Sequence, residues 1–511
     1  MDGLLFTEEP VESLSSSVSY QYIAAAVQFL SGFAFYLFLI RMYSTVIVGA
    51  FTMVQAINLL LPILFTFGLP PGVQHMVSFY HGKKEGIKAT KIAKGYIYIS
   101  MLLGVIALII TSSLSSYLSI YFFHSYQYTG VIILLSVSIA LSIVILVLTS
   151  VLMGKGRFRK ASYVSIVWTS ISYFSALFLF YEFKNIADII YGFILGSVIG
   201  LLIAIAYVYP LLQVNIKLTH KDLYIKEMAK YSMPLFFASL LSYGAMYIDR
   251  FVVAFFINLS DLGIYNLALL VATSITFITT PFTNILITKF SNYYGEGNKE
   301  RIAESVRISS VFISLVFIPV AVGIAAISPM IMYLIGGANY MKGALPLTII
   351  SLTIALFVNL YIFTTVLYGL KKTHIFLLSS GMAVLSNIVF SFILIPRLNI
   401  IGASMSFSST YIVSYIILYY FARKEQVTNL DLSSLSKIWL SAIVMFIIVY
   451  DMEFFIGTRL LLLIPYIIIG ALVFLVFVKF SYAIKKEDIN FFVSVIPEKF
   501  QFAKKIILKI F

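Results

Sequence analysis

The feature that most constrains this chain is a series of about 14 apolar stretches, each near 20 residues long and separated by short polar gaps. A helix of about 20 apolar residues is long enough to cross the hydrocarbon of a bilayer. Mean hydropathy is +1.01 and 11% of the residues are charged, whereas a soluble domain carries about 25%. The sequence therefore predicts an all-α, polytopic membrane protein.

The predicted spans follow one another with few long interruptions. They are 18–40, 46–67, 95–118, 130–153, 161–181, 186–209, 231–257, 262–287, 308–335, 345–370, 374–395, 400–421, 438–456 and 460–478.

The basic residues alternate between the two sides of these spans. Of 35 Lys and Arg residues, 29 fall in the even-numbered gaps and the C-terminal tail, 5 fall in the odd-numbered gaps, and Arg250 lies inside a span. Lys and Arg near a span resist translocation across the membrane. We therefore predict a multi-pass protein of the cell membrane with both termini in the cytoplasm and the odd gaps outside.

Two terminal tails flank the spans. Residues 1–14 form an acidic cytoplasmic tail, whereas residues 481–511 mix large apolar side chains with Lys. A basic, amphipathic helix lies flat on an anionic membrane surface. We predict that the C-terminal tail binds the inner leaflet in this way.

Composition narrows the function classes further. The net charge of +14 is spread over the gaps between spans, so we predict no nucleic-acid partner, because such binding needs a gathered basic surface. There is no Cys, and the five His residues show no metal-ligand spacing. We find no nucleophile and base placed for catalysis, and so predict no enzyme, no catalytic residue, no metal site and no cofactor.

A repeat of about 215 residues runs through the chain. The segment beginning at Gly82 resembles the one at Gly297, Leu152 begins a segment resembling the one at Leu367, and Val48 matches Leu262 at 214. Six spans separate the copies, so the two halves have parallel orientation. Transporters are often built from such repeats, with the substrate site between them.

The chain resembles the Wzx-type flippases of polysaccharide biosynthesis, in the multidrug/oligosaccharidyl-lipid/polysaccharide exporter superfamily. Short motifs spread over residues 15–480 carry the resemblance: Arg41, Val48-Gly49-Ala50-Phe51, Phe67-Gly68-Leu69, Gly154-Lys155-Gly156-Arg157-Phe158, Pro234, Ile248-Asp249-Arg250-Phe251, Gly263-Ile264-Tyr265-Asn266, Gly336-Gly337-Ala338-Asn339-Tyr340, Asn387, Ile395-Pro396 and Ile401-Gly402-Ala403.

This resemblance implies two six-helix lobes in a V around a central cavity. The expected N-lobe covers 15–228, the C-lobe 229–422, and two added helices 423–480. It implies alternating access that carries a lipid-pyrophosphate-linked oligosaccharide from the inner to the outer leaflet. The implied partners are the bilayer, the lipid-linked glycan and other membrane proteins of polysaccharide assembly. A monomer is the default, and H⁺, Na⁺ or no coupling ion all stay open.

The candidate site centres on Asp249 and Arg250, the two charges clearly inside a span. A charge at this depth faces a cavity or a partner rather than lipid. One interpretation is that Arg250 binds pyrophosphate while Asp249 orients it or takes a coupling cation; the other is a structural pair. Helical spacing places Ser242 near Asp249, and Ser239 and Tyr243 near Arg250.

Other polar residues in the spans complete the hypothesis. Arg41 at the end of the first span either offers a second cation or reaches to the interface. The neutral candidates either line the cavity or bond between helices: Gln55, Asn58, Asn266, Asn359 and Asn387.

Two alternatives remain at this stage. The first is a multidrug or organic-cation antiporter of the sister branch, which the Arg beside the deep acid disfavours. The second is a membrane glycosyltransferase or polymerase, which would need large outer loops carrying acids. The outer gaps here are short, and the paired acids Asp451 and Glu453 are expected to be solvated.

Overall fold

The computed structural model describes residues 14–212, 224–457 and 459–485, and these residues form helices and no strand. Helices satisfy every backbone N–H and C=O within one segment, as a lipid environment demands. The predicted tail 481–511 lies outside this part of the chain from residue 486 onward, as does the acidic tail up to residue 13.

The chain divides into two compact units, and the division along the sequence falls between Tyr243 and Gly244. The helices of the first unit are α1 (Leu14–Met42), α2 (Thr45–Thr66), α3 (Leu69–Gly82), α4 (Gly86–Ser113), α5 (Ser115–Phe123), α6 (Thr129–Gly154), α7 (Phe158–Phe183) and α8 (Ile186–Val208). Helix α9 (Ile225–Phe256) contributes residues to both units.

The second unit continues from α9 with further helices. They are α10 (Leu259–Ser274), α11 (Thr279–Gly295), α12 (Lys299–Ala326), α13 (Ser328–Gly336), α14 (Ala344–Leu356), α15 (Leu360–Gly369), α16 (Thr373–Lys424), α17 (Leu432–Ile456) and α18 (Leu460–Phe480). Short 3-10 turns join α10 to α11 and α13 to α14. Helix α17 packs on α12, and α18 packs on both.

The all-α membrane architecture is confirmed, but the predicted number of 14 spans is not. Within the described residues, 11 helices are long and apolar enough to cross a bilayer, or 12 if the bent pair α14–α15 counts as one. Two predicted spans are interrupted: 262–287 by the 3-10 turn Ile275–Ile278, and 308–335 by the break between α12 and α13.

Helix α16 explains part of the difference in number. Its 52 residues would measure about 78 Å at 1.5 Å per residue, far more than a bilayer core of about 30 Å. Asn399 interrupts it with φ 51° and ψ −132°. This break falls between the predicted spans 374–395 and 400–421.

The helix boundaries of the two units repeat with a nearly constant offset. Helices α1 and α9 end 214 positions apart, α2 and α10 begin 214 apart, and α7 and α16 begin 215 apart. The break at Asn399 lies 215 positions after Lys184, which ends α7 with φ 59°. Around Gly82 the offset is 213, because α3 ends there and α11 ends at Gly295. The sequence match of Gly82 to Gly297 is therefore two residues out of register.

Helices α7 and α8 pack closely through glycines. An added Cβ at Gly196 would lie 2.5 Å from the backbone nitrogen of Ser172, and one at Gly200 would lie 2.8 Å from the Cβ of Trp168. Small residues on one helix face let two backbones approach closely in a membrane. The glycines of α8 therefore serve packing in the first unit.

A charged cluster ties the start of α17 to α12. The Oδ2 atom of Asp431 lies 2.6 Å from the Nζ of Lys485 and 3.5 Å from an Nη of Arg307. Its Oδ1 accepts a hydrogen bond from the backbone N–H of Ser434 at 3.1 Å and caps α17. Burial alone would raise the pKa of Asp431, but the bonds from Lys485 and Ser434 outweigh burial and hold the pKa at about 2.

The expectation of two solvated acids near residue 452 is half wrong. Asp451 is exposed, but Glu453 is buried and accepts a hydrogen bond from the backbone N–H of Met330 at 2.8 Å. Met330 lies in the first turn of α13, where N–H groups lack helical partners. Glu453 therefore fixes α17 to the start of α13.

Candidate functional site

The carboxylate of Asp249 on α9 is held by Tyr265 on α10. The Tyr265 hydroxyl donates a short hydrogen bond to Oδ2 of Asp249, and both side chains are fully buried. The same hydroxyl lies 3.3 Å from the carbonyl oxygen of Ala403 on α16. Between α9 and α10, Oδ1 of Asn258 accepts a hydrogen bond from the backbone N–H of Asp261 at 2.8 Å and caps the start of α10. This short turn brings α9 and α10 side by side.

Arg250 is half-buried beside this pair. Its Nε donates to Oδ1 of the buried Asn266 at 3.0 Å, and its Nη1 donates to the Met246 carbonyl. The guanidinium carbon lies 4.3 Å from the centre of the Tyr247 ring. Planar guanidinium groups stack on aromatic rings and suit bidentate binding of phosphate. Asn266 and Tyr247 therefore orient a cation within a membrane-spanning helix.

The equivalent positions of the first unit are neutral. At the offset of 214, Asp249 corresponds to Phe35 and Tyr265 to Phe51, whose rings lie 5.0 Å apart edge to face. Arg250 corresponds to Tyr36, and not to Arg41. The two units thus place the same pair of positions in contact, but the second unit alone puts ionisable groups there.

Gln55 belongs to a hydrogen-bonded chain across three helices of the first unit. The Tyr36 hydroxyl donates to Oε1 of Gln55 at 2.6 Å, and Nε2 of Gln55 donates to the Tyr173 hydroxyl at 3.1 Å. Both ends of the Gln55 amide therefore hold helices together, as polar groups in membranes commonly do. In a separate contact, the Tyr243 hydroxyl on α9 donates a hydrogen bond to the carbonyl oxygen of Ala56 on α2.

The remaining predicted residues divide between the units. In the first unit Arg41, Ser239 and Ser242 are exposed, and Asn58 has a buried Oδ1. In the second unit Asn387 is buried and accepts from Ser391 at 2.9 Å, and Asn359 is buried at the start of α15. The structure brings together Asp249, Arg250 and Asn266; a substrate-binding role for any of them stays a prediction.

Tyr265 is the contact that the site hypothesis missed. It lies in the quoted motif Gly263-Ile264-Tyr265-Asn266, but nothing local marks its hydroxyl as a partner of Asp249. The internal repeat gives an indication of this pair, because Phe35 and Phe51 of the first unit are both replaced in the second unit, by Asp249 and Tyr265. The sequence alone did not show that these positions touch.

Comparison with solved structures shows which known folds this chain is similar to. The fold is similar to the lipid II flippase MurJ in its inward closed conformation, with a TM-score of 0.70 and 17% identity, covering 91% of this chain and 99% of that one. It is also similar to the inward-facing conformation of a multidrug resistance MATE family transporter of the MOP superfamily, with a TM-score of 0.66 and 14% identity, covering 80% and 98%. A Vibrio cholerae MATE transporter, VcmN, gives a TM-score of 0.55 at 14% identity, covering 81% and 98%.

These similarities show that the chain shares the fold of these solved structures, and the apolar helices of the described residues show a multi-pass membrane protein. The sequence profile of a family described as polysaccharide biosynthesis protein matches residues 81–344, just over half of the chain. The chain belongs to this polysaccharide biosynthesis protein family. No curated protein sequence gives a significant match.

Proposed function

We propose that this protein moves a lipid-linked oligosaccharide, joined through phosphate or pyrophosphate, from the cytoplasmic to the outer leaflet by alternating access. Family membership and the flippase-like fold support this class of transporter. A head group of this kind combines negative charge with many hydroxyls, and its transfer through hydrocarbon is too costly to occur unaided. Translocation moves the molecule without making or breaking a covalent bond.

The observation that carries the proposal is the oriented, half-buried Arg250 inside α9. Its guanidinium offers the positive charge and the paired N–H geometry that phosphate groups bind best. Asn266 fixes its Nε at 3.0 Å, so part of the ordering is already done before substrate arrives. The carboxylate of Asp249 accepts a hydrogen bond from the Tyr265 hydroxyl, so it is hydrogen-bonded to a neutral group beside the Arg250 cation.

The serines of α9 would bind the sugar in this proposal. Ser239 and Ser242 are exposed on α9, and hydroxyls of this kind suit neutral sugar groups. Both termini would face the cytoplasm, as the distribution of Lys and Arg indicates.

The alternative function is export of organic cations, since the same fold occurs in MATE transporters. An exporter of cations would bind its substrate through an acid. Asp249 is fully buried and bonded to Tyr265, which favours the anionic substrate.

The proposal is tested by glycan export in cells that depend on this protein. We expect Arg250→Ala to abolish surface polysaccharide and to accumulate lipid-linked glycan inside, with protein level near wild type. Arg397→Ala is the matched control, because Arg397 is an exposed Arg of the same unit in an outer gap. Normal export by Arg250→Ala, or drug resistance conferred by the wild type without glycan export, would overturn the proposal.

A further inference from the structure

Helix α3 of the first unit has a polar exposed side. The helix follows the predicted span 46–67 and lies in a gap that the distribution of Lys and Arg predicts to be cytoplasmic. Val73 and Val77 are buried in the core of the first unit, whereas His75 and Ser78, on the other side of the helix, are exposed. This exposed side is therefore where a hydrophilic head group would arrive from the cytoplasm.

Two glycines let the start of α9 pack closely against α3. An added Cβ at Gly68 would lie 3.0 Å from the backbone nitrogen of Phe236, and one at Gly72 would lie 2.7 Å from the sulfur of Met228. Gly68 has φ 72°, a left-handed conformation that glycine adopts without strain. Side chains of the two helices therefore meet at short range within the first unit.

Three aromatic rings form a stack at this contact, which we call the aromatic stack: His75 and Phe79 of α3 and Tyr231 of α9. The rings of His75 and Tyr231 are nearly parallel, with centres 3.9 Å apart and an angle of 9° between their planes. The centre of the Phe79 ring lies 6.2 Å from that of His75, and the Nζ of Lys83 lies 4.5 Å from the centre of the Phe79 ring. Residues four apart share one face of a helix, so α3 holds His75, Phe79 and Lys83 in line.

The aromatic stack is exposed although its rings are large. Phe79 is 47% exposed and Tyr231 is 39% exposed, and exposed polar residues lie beside them in sequence, Ser78 on α3 and Lys230 on α9. Exposed aromatic surface of this kind marks binding sites. Rings that their neighbours already hold in place offer a large contact area at low entropic cost.

The second unit does not repeat the aromatic stack. Helices α3 and α11 end 213 positions apart, and α1 and α9 end 214 apart. At these offsets the equivalent residues are neither aromatic nor cationic: Thr288 for His75, Asn292 for Phe79, Glu296 for Lys83 and Ser17 for Tyr231. The duplicated fold therefore does not require these rings, which indicates a role particular to the first unit.

We propose that the aromatic stack binds a sugar ring of the lipid-linked glycan on the cytoplasmic side, with Tyr231 as the platform and His75 as the residue that orients it. The inference rests on the proposed function and names the part of the substrate that this surface recognises. A sugar ring has a face of weakly positive C–H groups, and the face of an aromatic ring is negative. The sugar hydroxyls would stay in contact with water on the polar side of α3.

Binding is measured on full-length protein in detergent by calorimetric titration. The probe is the oligosaccharide that mild acid frees from the lipid and pyrophosphate of the glycan made by the same cells. We expect saturable binding by the wild type and an affinity lower by at least about 10-fold in Tyr231→Ala, which corresponds to about 1.4 kcal/mol. Tyr231→Phe keeps the ring, so we expect it to bind as the wild type does.

Two further variants separate the platform from general effects on folding. His75→Leu removes the ring that lies against Tyr231, and we expect weaker binding, whereas His75→Phe restores a ring and should restore the affinity. Phe237→Ala is the matched control, because Phe237 is a 55% exposed aromatic residue of α9 that lies on another face of the helix from Tyr231. We expect Phe237→Ala to bind as the wild type does.

The same preparations, placed in vesicles with lipid-linked glycan, distinguish this inference from the proposed function. If wild-type protein translocates the glycan but binds no free oligosaccharide, or if folded Tyr231→Ala binds it equally well, the sugar platform is overturned and the proposed function stands. If Tyr231→Phe or Phe237→Ala loses as much affinity as Tyr231→Ala, stacking on Tyr231 is likewise overturned. Binding that depends on Tyr231 without any translocation would support the platform and overturn the proposed function.

Discussion

The phenol of Tyr265 bonds to the carboxylate of Asp249 at the two positions where Phe51 and Phe35 touch in the first unit. Duplicated helices have kept the contact and changed its chemistry. An aromatic pair gains stability from burial and ring geometry, whereas a buried carboxylate needs its hydrogen bond. The second unit therefore has an acid and a phenol at these two positions, whereas the first unit has two neutral aromatic rings.

Removing the hydroxyl of Tyr265 should destabilise the second unit. In Tyr265→Phe the buried carboxylate of Asp249 loses its donor, and we expect a loss of about 1–3 kcal/mol. In the double variant Asp249→Phe with Tyr265→Phe, the pair of the first unit is rebuilt, and we expect stability to return while glycan export does not. Thermal unfolding in detergent measures the first result, and surface polysaccharide measures the second.

The double-variant comparison separates a structural role from a functional one. If the double variant is stable and exports glycan normally, Asp249 serves stability alone. If it is no more stable than Tyr265→Phe, the contact energy does not lie in this pair.

The Asp431 cluster predicts that the free energy of unfolding depends on pH. The folded-state pKa of Asp431 is about 2, below the unfolded value near 3.9. A depressed pKa stabilises the folded protein above the unfolded pKa, and this contribution is lost as pH falls from about 4 through 2. We expect Asp431→Asn to cost on the order of 1–2 kcal/mol at pH 7 and almost nothing near pH 2.

Unfolding midpoints of both proteins at several pH values check this prediction. Asp451→Asn is the control, since Asp451 is exposed on the same helix, and its effect should be small throughout. A constant difference between wild type and Asp431→Asn from pH 7 to pH 2 would contradict the assigned pKa.

Close packing of α7 on α8 predicts which glycine tolerates a side chain. Gly196→Leu forces atoms against the backbone of Ser172, and overpacking of this kind costs about 1–3 kcal/mol. Gly130→Leu should be nearly neutral, because an added Cβ at Gly130 meets nothing within 4 Å. Expression level and unfolding midpoint compare the two; equal behaviour would mean that the helices separate easily.

The absence of Cys from the sequence makes orientation directly testable. A single cysteine introduced as Tyr126→Cys, at an exposed position between α5 and α6, should react with a membrane-impermeant maleimide in intact cells. Lys84→Cys, between α3 and α4, should react only after the membrane is opened. The reverse pattern would invert the predicted topology.

Sequence patterns predicted the class and much of the helix order, because length and apolarity are enough to identify a membrane helix. They did not predict the breaks after Ser274, Ala326 and Leu356, since neighbouring helices decide whether a broken backbone is tolerated.

Individual side chains were harder to place. Asp249 and Arg250 stood out because charge is rare in a span, but their partners Tyr265 and Asn266 came from another helix. Glu453 was expected in solvent, yet the start of α13 provides a donor that no local pattern announces. Gln55, predicted either to line a cavity or to bond between helices, joins Tyr36 to Tyr173 through its amide.

We propose that a lipid-linked, negatively charged glycan crosses the membrane through this protein with the help of Arg250. The most direct test reconstitutes purified protein into vesicles with lipid-pyrophosphate-linked oligosaccharide in both leaflets and follows its exposure to an external enzyme that cuts the sugar. We predict that wild-type and Arg397→Ala vesicles expose the inner pool and that Arg250→Ala vesicles do not. Equal rates in wild-type, Arg250→Ala and protein-free vesicles would show that this protein does not move the glycan.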